Sequence, residues 1–438
     1  MPASPRTTVA VRMYNVGFGD AFLITVTQSR TVWRMLVDCG VFPAGQVRPI
    51  RESVRLIIDD LTAATPAGQP PHLDVIVATH HHIDHISGFA DPAWEKVKVD
   101  EVWVPYVEDP RDRDGKILRG QLTTAAHALV GLIGAAQQRI AAADEDAHER
   151  LRVAKIFASN SEGSDPATDR LLGRNDTTFL NKPTPRYVPD RDPAKNTIPT
   201  TVPGVTAHIL GPSRDPSEVK KMRPPKSVAW LKAAADERPT NADTRPLFDH
   251  IHAVPRAEVD DAVPERLRLT AAALKLDELS NAEELLAAAA ILENSVNNTS
   301  VYFVLDVRGT RLVFVGDSQH GAWEHVLNNP ESLALVTEPA LYKIGHHGSH
   351  NATPQRYAKS ILGREHYAMM PFGTVGQWPS IPEEKLITAL EEAGTHLIRA
   401  DRPAPGPLVT VDAHKRWSEV RFTIPATRRR TAKTQPTG

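Results

Sequence analysis

Cysteine is almost absent from this chain: Cys39 is the only one in 438 residues. A lone thiol cannot close a disulfide within the chain, so a covalently stapled scaffold is excluded and nothing points to an oxidising compartment. No run of about eighteen apolar residues occurs, so no membrane-spanning helix and no membrane partner is expected. The opening MPASPRTTVAVRMYN holds no apolar core of signal-peptide length, which leaves a cytoplasmic location as the default expectation. Basic charge is not in surplus either. Lys plus Arg (51) against Asp plus Glu (53) gives a formal net charge of −2, without the basic stripe of a dedicated nucleic-acid binder. Arg428-Arg429-Arg430 and Lys433 read as a solvated tail over 425–438. Also missing are a G-x-x-x-x-G-K phosphate loop, a G-x-S-x-G elbow, a dinucleotide fingerprint and an internal repeat. What is present is the composition of an ordinary globular protein, 41% hydrophobic and 24% charged, long enough to bury a large core.

Strand and helix periodicity predicts an α/β protein. Val9–Val16, Ala21–Val26 and Val32–Asp38 read as a meander, with Gly17-Phe18-Gly19-Asp20 as its first turn. A helix over Ser53–Ala63, an apolar strand Leu73–Ala78 and a further strand Glu101–Pro105 follow. Between about 107 and 290 the character changes. Gln121–Phe157 and Pro264–Glu293 have helical periodicity, Ser159–Pro203 reads as long loops, and Val205–Leu210 as a lone strand. This middle region is expected to be an insertion on a core domain spanning 8–424, either shaping the substrate site or serving as extra scaffold. Strands resume with a hairpin of Val301–Val307 and Arg311–Asp317, then Pro339–His350, His366–Met370, a helix at Pro382–Ala393, Thr395–Asp401, and two strands over about 407–424.

Chemistry concentrates where apolar strands run out. After Ala78 come His80, His82, Asp84 and His85 within six positions, an imidazole and carboxylate set suited to zinc and its divalent neighbours. Two-residue spacing points His80 and His82 the same way in extended backbone, whereas the adjacent Asp84 and His85 diverge, as ligands of a second ion would. Asp317 and the pair His346/His347 end two later strands in the same manner. His72, His208 and His396 read as surface or packed histidines, and Trp323, Trp378 and Trp417 as core more readily than pocket.

THHHIDH (Thr79–His85) resembles the T-H-x-H-x-D-H signature of the metallo-β-lactamase-fold hydrolases. VDCG (Val37–Gly40) resembles their strand-end aspartate motif, and VFVGD (Val313–Asp317) the strand carrying their bridging aspartate. A narrower likeness, to stand-alone relatives of the ComEC-type DNA-uptake competence domain, is carried by Tyr14–Ile24, Asn297–Leu305, Leu341–His350 and Ile381–Asp401. The resemblance implies a four-layer αβ/βα sandwich and a metal-dependent hydrolase. It places phosphodiester cleavage first, of a small molecule or nucleic acid. Hydrolysis of a lactone, thioester or amide, and a non-catalytic binding module with a vestigial metal site, are the alternatives. It implies His80 and His82 on one ion, Asp84 and His85 on a second, and Asp317 between them. One of His346 and His347 would complete the second site, with His346 favoured as nearer the strand end. The family's usual third histidine on the first ion has no counterpart, since Asn297 and Asn298 occupy that stretch. One or two ions are expected, zinc first and manganese as the alternative. Asp84 would orient the attacking water, His350 or the non-ligand member of the His346/His347 pair would donate a proton, and Asp38 and Asp20 would fix histidine tautomers from outside, Asp20 reading equally well as a turn residue.

Overall fold

The computed structural model describes residues 6–140, 144–219, 281–375 and 380–425. The first half of the expected helix Pro264–Glu293, Trp378 and the basic tail lie outside them.

β1 (Thr7–Tyr14), β2 (Ala21–Gln28) and β3 (Thr31–Cys39) form the antiparallel meander read from the sequence. Alternation sends Val9, Val11, Met13, Phe22, Ile24, Trp33 and Met35 to one face. After β3 the chain crosses over through α1 (Ile50–Ala63), which buries Val54, Ile57, Ile58 and Leu61 as one stripe. The crossover lets β4 (His72–Val77) lie parallel to β3, with β5 (Lys98–Pro105) parallel beyond it.

Among the described residues the middle region contributes the helices α3 to α5, a short helix Pro216–Val219, the start of the helix Ala282–Asn297, and three strands. The very short α2 (Ile83–Ile86) lies in the metal-type loop before it. The single helix expected over 121–157 is two, α3 (Arg113–Gln137) and α4 (Glu145–Glu162), followed by α5 (Asp165–Leu172). Asp144 starts α4 by accepting the Ala147 N–H at 3.0 Å. The stretch expected to be loop carries β6 (Thr184–Val188), parallel to β5, and β7 (Thr197–Pro199), paired with β8 (Val205–Gly211). Its prolines hid it: Pro185 and Pro199 fall on outermost strands, where a missing N–H breaks no central ladder. The described strands of this region thus join both sheets, β6 at the edge of the first and β7 with β8 in the second.

β9 (Tyr302–Val307) and β10 (Thr310–Phe314) make the hairpin, with β11 (Leu341–Lys343), β12 (Tyr367–Met370) and β13 (His396–Arg399) parallel in sequence beyond β10. The second sheet has the order β13-β12-β11-β10-β9-β8-β7. The first runs from the C-terminal strands Val409–Val411 and Trp417–Ile424 through β1 to β6. Between the sheets lies one core, with Phe22 edge-on to Phe314 at 5.8 Å and Phe303 stacked on Phe314 at 5.2 Å. The outer face of the first sheet packs under α1. The outer face of the second packs with α7 (His320–Asn328), α8 (Pro330–Val336) and α9 (Glu384–Glu392), to which Trp323 belongs. This is the expected four-layer αβ/βα sandwich. A further cluster forms where α3, α4 and α6 (Ala282–Asn297) meet through Leu122, Leu129, Leu151, Leu285 and Leu292.

Candidate metal centre

Asp38, at the end of β3, organises the first half of the site. Its backbone takes a left-handed conformation (φ 56°), and its carboxylate accepts the Thr79 N–H at 2.7 Å and the Thr79 hydroxyl at 2.8 Å. The same carboxylate lies 2.8 Å from His85 Nδ1. Gly40 makes the approach feasible: a Cβ there would stand 2.5 Å from the backbone N and C of His85. His80 and His82 face each other, with Nε2 of the first 3.0 Å from Nδ1 of the second. The His80 ring stacks at a tilt on His85, centroids 4.1 Å apart. His81 turns the other way, towards the middle-region helices. Its Nε2 lies 3.1 Å from Ser161 O and 2.9 Å from Arg119 Nη1, and its Nδ1 lies 3.4 Å from Glu108. Asn160 accepts the Ile83 N–H at 3.1 Å, and Ser161 Oγ comes within 3.4 Å of His82 Nε2, so the end of α4 props the loop.

The second half comes from β10 and β11. Asp317 follows β10; its N–H donates to Ser300 Oγ at 3.0 Å, and its carboxylate accepts the His346 N–H at 3.0 Å. Lys343, buried at the end of β11, donates to Gly316 O at 3.0 Å and ion-pairs with Asp20 and Asp317. His346 and His347 both sit at positive φ (42° and 52°), uncommon for non-glycine residues and a local source of strain. That geometry separates the two rings. His347 is fully buried against Phe18, with ring centroids at 4.0 Å, and brings Nε2 to 3.1 Å from Asp84 Oδ2. His346 stays half-buried, with Nδ1 2.9 Å from Ser349 Oγ.

Asp84, His85, Asp317 and His347 each offer a ligand atom, all within 4.8 Å of one another. Residues 14–116 match the family model of the metallo-beta-lactamase superfamily. No curated protein matches the chain. The metallo-beta-lactamase match takes in Asp20, Asp38 and the His80–His85 loop and ends before Asp317 and His347, which the fold carries to the same rim.

The electrostatics of the cluster show a shortage of positive charge. Asp20, Asp38, Asp84 and Asp317 are buried together, and among the described residues in contact with them Lys343 is the only fixed cation. Burial opposes charge on His85, but Asp317, Asp20, Asp38 and Asp84 outweigh it and raise its pKa well above the ordinary imidazole value. His347 is raised against its burial by its hydrogen bond with Asp84 and by Asp317 and Asp20. Burial opposes ionisation of Asp84 and Asp317 too, yet His85 and its neighbours hold both below the usual carboxylate range. His80 and His82 go the other way: burial drives His80 well down and His82 to about 3, leaving neutral imidazoles.

These residues fit a divalent metal. An ion would supply the positive charge that His85 and His347 otherwise take up as protons, leaving both in ligand form. Asp84 Oδ1 and His85 Nε2 are buried without a hydrogen-bond partner. The facing donor pairs His80/His82, His85/Asp317 and Asp84/His347, at 3.0, 3.1 and 3.1 Å, match the roughly 3.0–3.4 Å edge between ligands about 2.1 Å from one ion.

Of the residues singled out from sequence, the fold gathers His80, His82, Asp84, His85, Asp317 and His347. It places His347 rather than the favoured His346 against Asp84. His350 is exposed on the same loop. Asp20 and Asp38 approach His85 Nδ1 from outside the cluster, at 3.8 and 2.8 Å. His72 forms a separate half-exposed group with Asp74 and Asp100, and His396 stacks on Tyr367 at 4.7 Å. Sequence reasoning missed Lys343 and Glu293. Lys343 is the one charge in the apolar run LYKIG, and Glu293 lies on the buried stripe of α6 with Leu285, Ala289 and Val296. A charge on an apolar stripe is the signal that could have found both. Burial, with Asp84 and Asp317 as electrostatic neighbours, holds the Glu293 carboxyl well above its ordinary pKa.

Proposed function

We propose that this protein is a metal-dependent hydrolase that cleaves phosphodiester bonds in a nucleotide or nucleic acid. The convergence of Asp84, His85, Asp317 and His347 with His80 and His82 carries the reading. Six buried side chains with ligand atoms meet at the rim of the two sheets, four of them within 4.8 Å of one another, an arrangement that suits divalent cations. His80 and His82 would hold one ion, Asp84, His85 and His347 a second, with Asp317 between them. Bound there, zinc or manganese would lower the pKa of water towards about 7 and polarise a phosphoryl oxygen. Asp84 keeps one oxygen on His347 and the other unengaged, so a depressed carboxylate is available to orient the attacking water. His85 is turned by Asp38 so that Nε2 faces the centre. His350, exposed on the loop that carries His347, is assigned the leaving-group proton. The choice of phosphodiester rests on the likeness of Tyr14–Ile24, Asn297–Leu305, Leu341–His350 and Ile381–Asp401 to the competence-domain relatives.

The test is metal content together with turnover of bis-p-nitrophenyl phosphate, set against ester, lactone and lactam substrates, for wild type and Asp84→Ala. Metal-dependent phosphodiester turnover that drops about 10²–10⁴-fold in Asp84→Ala is the expected result. Turnover of the ester or lactone alone would move the reading to acyl substrates. A protein that retains no ion and turns over nothing would be a binding module, a reading favoured by Asn297 and Asn298, both buried, in the stretch where the resembled family has its third histidine.

A further inference from the structure

We infer that Lys343 is a positioning residue of the metal centre: its ammonium, set across the seam between the sheets, engages Oδ1 of Asp317 and so reserves Oδ2 for an ion. The inference rests on the metal-dependent reading above and adds to it a residue that holds no ion itself.

The register of β11 aims the side chain. Leu341 packs in the core between the sheets and Tyr342 on the outer face of the second, so Lys343, two residues after Leu341, returns to the inner side. It pairs with Phe314 on β10 and Met369 on β12, in the middle of the sheet, and is 1% exposed. A side chain without polar atoms would pack there at no electrostatic cost, whereas a buried ammonium is costly unless its protons find acceptors. Lys343 has three protons and meets three acceptors: Gly316 O at 3.0 Å, Asp317 Oδ1 at 3.4 Å, and Asp20 Oδ2, with which it ion-pairs. The first two belong to the second sheet and the third to the turn between β1 and β2 of the first. Asp20 is itself tied down, its N–H donating to Asp84 O and its O accepting the Gly40 N–H, both at 3.0 Å. An ammonium anchored in both sheets does not follow the Asp317 carboxylate when it turns.

The two oxygens of Asp317 are thereby unequal. Oδ1 takes Lys343 and the His346 N–H, the latter at 3.0 Å, while Oδ2 faces His85 Nε2 at 3.1 Å. An ion would therefore meet Asp317 through Oδ2. Without the ammonium, Oδ1 keeps one donor, and the carboxylate can turn and offer either oxygen, at a cost in preorganisation. Charge balance alone makes the opposite forecast: a fixed cation repels a divalent ion, so its removal would tighten binding.

The experiment is calorimetric titration of chelator-stripped wild type, Lys343→Met, Lys343→Gln and Lys343→Arg with Mn²⁺ and with Zn²⁺. The EPR spectrum of bound Mn²⁺ and a melting curve of each metal-free protein accompany it. Lys343→Met is expected to bind ions about 10–100-fold more weakly and to change the Mn²⁺ spectrum. Lys343→Gln keeps a polar end, covers the case of a methionine variant that does not fold, and should lose affinity in the same direction. Lys343→Arg keeps charge and donors and should recover part of the loss. A role in stability alone would lower the melting temperature and leave the spectrum of the folded protein as it is in wild type. An unchanged spectrum, or binding as tight as in wild type or tighter, in the folded neutral variants would overturn the inference and leave the metal reading intact. A wild type that binds neither ion would overturn both.

Discussion

Asp38 commits both carboxylate oxygens, one to the Thr79 backbone and the other to the Thr79 hydroxyl and His85 Nδ1. A proton is thereby kept on Nδ1, and Nε2 is left to face an ion. Asp38→Asn puts a donor where an acceptor is needed, and metal affinity measured by calorimetry is expected to fall about 10–100-fold. The raised His85 and His347 have a second consequence. In the metal-free protein their contribution to stability is complete below the unfolded imidazole pKa of about 6.5, and it is lost as pH rises through their raised folded values. Asp84 and Asp317, held low, contribute above the unfolded carboxylate pKa of about 4, and that part is lost as pH falls. The melting temperature of stripped protein should therefore decline on the alkaline side. Bound Zn²⁺ or Mn²⁺ should remove that decline, because the ion replaces both protons; melting curves across a pH series with and without chelator check it. Thr79–His85 was legible because its ligands are neighbours in sequence. The choice between His346 and His347 was not, since two successive positive φ angles redirect their rings, and spacing carries no trace of that.

At the scale of elements, the strand ends matter more than the strands. Gly40 lies where β3, the β1–β2 turn and the metal loop converge, and Gly40→Ala would drive a methyl into the His85 backbone. A loss of about 1–3 kcal/mol is expected in urea unfolding of the metal-free protein, together with weaker ion binding. Most strands and α1 could be read from period alone because their buried faces are uninterrupted. The region between α4 and β8 could not. Its strands are short and outermost, and Pro185 and Pro199 are tolerated there for that reason, so the local composition of a loop overlies the structure of a sheet. Helix α6 was legible as a helix, but the electrostatic neighbours of its buried Glu293, Asp84 and Asp317, are set only by the fold.

Over the whole molecule, both sheets change from antiparallel to parallel pairing at a strand that leads to a site aspartate: β3, with Asp38 near its end, and β10, which Asp317 follows. The strands after them, β4 and β11, deliver the histidines. Donors separated by as many as 263 positions, as in the Asp84 to His347 contact, therefore meet only across the seam between the sheets. A nascent chain that has emerged only as far as β6 has the loop imidazoles but neither Asp317 nor His347. An ion held by these donors would be captured only after residue 347 has been synthesised and docked, and would act as a rivet across the two sheets rather than as a template for folding them.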